Sequence, residues 1–167
     1  MMNSTIGLKT TVLLADDHAL LRAGVAAVIN KEPDMAVVAE ACDGDSALVL
    51  YGEHVPDIAI VDLRMPGMAG MELIAAICAA FPRAKIIILS NLNTDDEIDR
   101  GLHAGAKAFL LKDVSATELV DAVRQVHDGK AVVCAAVGSK LAEWVTQDRL
   151  TDRELSVLKL VVNGRAN

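Results

Sequence analysis

Aromatic side chains are nearly missing from this chain: one Trp, one Tyr and two Phe stand among 167 residues. A surface that stacks on single-stranded nucleic acid needs several such rings, so that mode of binding has little to build on. The core must instead be aliphatic, as a hydrophobic content of 53% permits. Cysteine is scarce as well. Cys42, Cys78 and Cys134 are odd in number and widely spaced, with no CxxC pair and no His at zinc-finger spacing, and we read them as reduced, mostly buried thiols of a reducing cytoplasm. No run approaches the ~18 apolar residues of a membrane span, and the opening MMNSTIGLKT lacks a cationic segment followed by a long apolar one. A cytoplasmic chain without membrane contact is expected. There is no GxGxxG or GKS-type loop either, so nucleotide binding has no support.

Positive charge is short over most of the length. Residues 1 to 129 carry 10 Lys and Arg against 19 Asp and Glu, a net of -9, whereas residues 130 to 167 carry 6 against 4, a net of +2. A duplex-binding surface needs clustered Lys and Arg to displace counterions. If the protein touches DNA, its acidic body is not the part that does so.

What is present is an alternation. Short aliphatic runs at 11–15, 35–41, 57–62, 85–90 and 108–112 are separated by segments of helical period. Leu21, Val25, Val28 and Ile29 mark one helical face, Leu73, Ile77 and Phe81 a second, Leu119, Val123 and Val126 a third. Continuous apolar strands separated by helices imply an α/β fold, a doubly wound parallel sheet of five strands covered on both faces. Ser or Thr followed three residues later by Glu marks helix starts at Thr94, Ser115 and Thr151, because such a pair satisfies two orphan amides reciprocally. Gly105 and Gly129 stand where helices end. The helix after Thr94 is highly charged, with Ile98 and Leu102 almost its only large apolar residues, and is expected to pack weakly and to move.

Ligands of such sheets bind beyond the carboxyl ends of the strands. There the sequence puts Asp16 and Asp17 after the first strand, Asp62 after the third, Ser90 after the fourth and Lys112 after the fifth. Taken singly, each has an ordinary explanation: a helix cap, a turn before Pro66 and Gly67, an edge lysine. Together they place three acids, a hydroxyl and an ammonium on one rim. Three neighbouring carboxylates call for protons or a cation, and a hard divalent ion such as Mg²⁺ suits carboxylates, waters and a phosphate. Asp62 would then be a nucleophile towards phosphorus, with Ser90 and Lys112 holding phosphoryl oxygens. His18, His54, His103 and His127 share no ligand spacing and receive no role.

The stretches LLADDH, VDLRMPGMAG, IIILSN and GAKAFLLKD, in this order across residues 10–128, resemble the receiver domain of bacterial two-component response regulators. That resemblance implies a flavodoxin-like sheet of order 2-1-3-4-5 over a receiver domain at 10–129, preceded by an extension at 1–9. It implies that Asp62 accepts a phosphoryl group from a sensor histidine kinase. Asp17, Asp62 and the backbone carbonyl of Arg64 would ligate Mg²⁺ directly, and Asp16 through water. Phe109, three residues before Lys112, would turn into space left by Ser90 as that hydroxyl moves to the phosphate. Such a protein is a phosphoacceptor assisting its own phosphorylation and dephosphorylation, not a conventional enzyme. An aspartyl-phosphate phosphatase would carry a second acid two residues after the nucleophile, where Arg64 stands. Phosphorylation is expected to control homodimerisation.

Past a linker at 130–149, LTDRELSVLKLVVNGRAN (150–167) resembles the start of the helix-turn-helix domain of the LuxR, or NarL/FixJ, family through Leu150, Thr151, Arg153, Glu154, Val157, Leu158, Gly164 and Asn167. The expected whole is a transcription regulator that binds promoter DNA in its full-length form. The 167 residues hold only the first helix of that all-α domain and, lacking the recognition helix, are not expected to bind DNA specifically.

Overall fold

In a computed structural model of the chain, residues 8–91 and 95–133 are described. The aliphatic runs form β1 (Thr10–Ala15), β2 (Met35–Ala41), β3 (Ile58–Val61), β4 (Ile86–Ser90) and β5 (Ala108–Leu111). Helices α1 (Ala19–Lys31), α2 (Gly44–His54), α3 (Gly70–Ala80), α4 (Asp95–Ala104) and α5 (Ala116–His127) connect or follow them. All pairings are parallel, and the sheet order is β2-β1-β3-β4-β5-β6.

The order agrees with expectation, but the sheet has six strands rather than five. The sixth, β6 (Val132–Val133), lies in the stretch read as linker and pairs Val133 with Phe109. Two residues are too few to carry a periodic signal. Residues 134–149 of that linker, residues 1–7 of the extension and the helix-turn-helix segment at 150–167 lie outside the described residues, as do the capping boxes at Thr94 and Thr151.

Because side chains alternate across a strand, each strand feeds two cores. Val12, Leu14, Ile58, Ile60, Ile87 and Leu89 pack with α1 and α5 on one face. Leu13, Ala59, Val61, Ile86, Ile88 and Phe109 pack with α2, α3 and α4 on the other. Burying a side chain of this size contributes about 1.5–3 kcal/mol, so aliphatic residues alone can supply the core that the missing aromatics do not. Two of the few rings meet: the centroids of Tyr51 and Phe81 lie 5.0 Å apart, tilted.

The described boundaries have the chemistry anticipated for them. Ser115 Oγ accepts the Glu118 amide (3.2 Å) while the Glu118 carboxylate accepts the Ser115 amide (3.1 Å), opening α5. Gly105 and Gly129 take φ of +113° and +85°, a region that glycine enters without strain. One expectation fails. Cys42 is exposed and Cys78 half-buried, since Cys42 stands one residue beyond β2, in the turn to α2. Among the described residues no helix is long and apolar enough to cross a membrane.

Candidate functional site

The register of the central strands assembles the site. Ala15 of β1 pairs with Val61 of β3, and the Asp62 amide donates to the Ala15 carbonyl (2.8 Å), so Asp16 and Asp62 emerge side by side. On the other flank Ser90 pairs with Leu111, and the Lys112 amide donates to the Ser90 carbonyl (2.9 Å). Asp16, Asp62 and Ser90 are the buried polar residues of the described chain, 6%, 3% and 2% exposed.

Lys112 reaches back across the rim. Its Nζ lies 2.9 Å from Asp16 Oδ2 and 2.8 Å from Asp62 Oδ2. Burial opposes the ammonium charge, yet the hydrogen bonds to Asp62 and Asp16, reinforced by their charges, hold its pKa above the ordinary 10.5. The other oxygen of Asp62 accepts the Arg64 amide (3.2 Å). Gly70 lets the following loop close: a Cβ there would stand 2.2 Å from the Asp62 carbonyl oxygen, and its amide donates to the Leu63 carbonyl (3.1 Å).

The structure also adds residues that the sequence did not flag. His18 Nδ1 lies 2.9 Å from Asp17 Oδ1 and 3.1 Å from Asp16 Oδ1, so this histidine belongs to the site after all. Its adjacency to Asp16 and Asp17 was the available signal. Arg22 donates from Nη1 to the Asp16 carbonyl (2.6 Å) and from Nε to Glu40 (3.2 Å), fixing the β1–α1 turn; no sequence pattern announced it.

One atom each from Asp16, Asp17, His18 and Asp62 falls within 4.8 Å of all the others. Three of these four donors are carboxylate oxygens, the preferred partners of a hard divalent cation. The residues present therefore fit such an ion.

The family model for the response regulator receiver domain matches residues 12–124. The chain belongs to that family. It is 36% identical over 164 residues to the transcriptional regulatory protein LiaR of Bacillus subtilis, an alignment spanning 93% of this chain and 78% of that protein. It is 34% identical over 166 residues to the nitrate/nitrite response regulator NarL of Escherichia coli K12, spanning 94% and 77%. Among solved structures, a LuxR-family two-component response regulator from Aurantimonas superposes with a TM-score of 0.79 at 31% identity, covering 83% of this chain and 99% of that one. The receiver domain of RcsB from Salmonella enterica, solved in the presence of the phosphomimetic BeF3-, superposes with a TM-score of 0.73 at 26% identity, covering 78% and 97%. This receiver is thus part of a phosphorelay response regulator of the NarL/LuxR type, which places it among signalling proteins.

Of the residues expected in the receiver's site, Asp16, Asp17, Asp62 and Lys112 come together directly, with Ser90 at the neighbouring strand end. Arg64 contributes its amide, while its guanidinium is mostly exposed and lies 4.0 Å from Glu97 of α4. Phe109 is fully buried, in the core that holds Ile88 and Ile98, and a Cβ on Gly101 of α4 would stand 3.8 Å from its ring.

Proposed function

We propose that Asp62 is the phosphoacceptor and that Asp16, Asp17, Asp62 and the Arg64 carbonyl hold Mg²⁺. The observation that carries this reading is the bridging of Asp16 and Asp62 by one buried ammonium. Two acids this close and this buried are costly unless a cation joins them, and three carboxylates against one ammonium still suit a divalent cation, which in turn would offset the charge of an arriving phosphoryl group.

An Asp62 carboxylate oxygen bonds to phosphorus as the P–N bond to the kinase's phosphohistidine breaks, and the bonding pair stays on the departing imidazole nitrogen. The bound cation supplies charge neutralisation for the phosphoryl oxygens. Lys112, already 2.8 Å from Asp62, lies within reach of the phosphoryl oxygens once they arrive. Ser90 offers a hydroxyl at the adjacent strand end. The Arg64 amide fixes the orientation of the carboxylate.

Phosphorylation adds about -1.5 to -2 charge units. As Ser90 moves towards the phosphoryl group it leaves space for Phe109 to turn into, and α4, anchored by Ile98 and with Gly101 near Phe109, shifts with it. We assign residues 150–167 to the opening of a LuxR-type DNA-binding domain, joined through the segment after β6, and the full-length protein to promoter DNA, with dimerisation following phosphorylation.

Intact mass after treatment with acetyl phosphate, with and without Mg²⁺, tests the reading. A Mg²⁺-dependent phosphoryl adduct that is lost in Asp62→Asn is expected. A folded, Mg²⁺-binding protein that takes no phosphoryl group would overturn it. Size-exclusion chromatography of the phosphorylated protein then reports on dimerisation.

A further inference from the structure

The loop between β3 and α3 carries both the acceptor Asp62 and the Arg64 carbonyl, and something must hold it in place. Its two ends are closed on each other where the Gly70 amide donates to the Leu63 carbonyl. Met68, inside that span, is held by a different element. Asp45 in the first turn of α2 accepts the Met68 amide with Oδ2 (3.1 Å), across 23 residues of sequence. Two glycines allow this approach. Gly67 adopts φ +71°, and a Cβ there would stand 2.4 Å from that same Asp45 oxygen; a Cβ on Gly44 would stand 2.1 Å from the Met68 carbonyl oxygen. Met68 is thereby gripped on its amide side by a carboxylate and on its carbonyl side by close backbone contact.

The geometry points to Asp45 as a positioning residue for metal binding: by fastening Met68 to α2 it presets the loop on which Arg64 offers its carbonyl to the cation. This rests on the metal and phosphoacceptor roles given above. Met68 is an interior tether of the span 63–70, so releasing it returns conformational freedom that cation binding must then remove. The rival explanation is that an acid in the first turn of α2 merely complements the helix dipole.

Three variants separate the two. Asp45→Ala should weaken Mg²⁺ binding, measured by calorimetry, about tenfold, the size expected for losing one charge-assisted hydrogen bond. Its rate of phosphorylation by acetyl phosphate at saturating Mg²⁺ should stay near that of the unaltered protein. Asp45→Asn keeps an acceptor oxygen but no charge, and should restore about half of the lost binding free energy, leaving affinity roughly threefold below the unaltered protein. Asp43→Ala removes the cap that accepts the Ser46 amide (2.8 Å) at the same helix end. It should lower the melting temperature while leaving Mg²⁺ affinity within about twofold.

Unchanged affinity in Asp45→Ala, equal losses in Asp45→Asn and Asp45→Ala, or an equal loss in Asp43→Ala would each overturn the proposal. Absence of Mg²⁺ binding by the unaltered protein, or a phosphoryl adduct surviving in Asp62→Asn, would instead bring down the site assignment and this proposal with it.

Discussion

Lys112 Nζ stands 2.8 Å from Asp62 Oδ2, with side-chain exposures of 6% and 3%. The same ammonium holds Asp16, so it occupies the place where positive charge is needed when no divalent cation is bound. Replacing Lys112 by Met leaves two buried acids facing each other. The expected loss is about 3–5 kcal/mol of stability in the presence of a chelator, the range for removing one partner of a buried pair. Because the ammonium no longer neutralises the acids, added Mg²⁺ should raise the melting temperature more in Lys112→Met than in the unaltered protein. Thermal denaturation with EDTA and with MgCl2 reads both effects.

Glycine replacements should split by location. Gly70→Ala pushes a methyl group to 2.2 Å from the Asp62 carbonyl oxygen and 2.6 Å from Leu63 Cα. Backbone atoms cannot step aside as side-chain tips do, so a cost of roughly 1–3 kcal/mol or more is expected, together with loss of the phosphoryl adduct. Gly24→Ala, at an exposed position of α1 with nothing within 4 Å, should stabilise by up to about 1 kcal/mol. Urea unfolding of the two variants side by side is the check.

The pH dependence has a definite sign at each end. Lys112 has its pKa raised in the folded state, so its contribution is complete below 10.5 and is lost as pH rises through the folded value. Asp57 is the converse case. Burial would raise its pKa, but the Thr11 amide and hydroxyl, each 2.8 Å from Oδ2, outweigh burial and lower it below 3.8. Its contribution is present above 3.8 and disappears as pH falls through the folded value. Urea midpoints against pH should therefore decline less steeply at the alkaline end in Lys112→Met, and less steeply at the acid end in Asp57→Asn.

Ser115→Ala removes the acceptor for the Glu118 amide. A loss of about 1 kcal/mol is expected, with faster amide hydrogen exchange confined to the first turn of α5. Uniform acceleration along α5 would contradict a purely local cap.

The sequence disclosed the sheet because its strands are buried on both faces: a run such as IAIV (58–61), buried throughout, cannot be mistaken for a surface segment. It disclosed the acids and the lysine because each directly follows or ends such a run. Helix α2 is a different case. It buries Gly44, Ala47 and Tyr51, two of them too small to mark an apolar stripe. The grip of Asp45 on Met68 was equally invisible, since a side chain bonded to a distant backbone amide leaves no pattern in residue types. His18 shares no ligand spacing with the other histidines, and its partners are the acids beside it. The inward ring of Phe109 could not be read at all, because a side-chain rotamer is set by the packing around it.

The short β6 has a mechanical meaning. Val133 is paired with Phe109, so the chain after α5 is stitched to the strand that ends at the phosphoacceptor rim. Running parallel to β5, it is directed towards that rim. Any displacement of β5 is therefore a displacement of Val132 and Val133 as well, since the two strands share one hydrogen-bonded ladder.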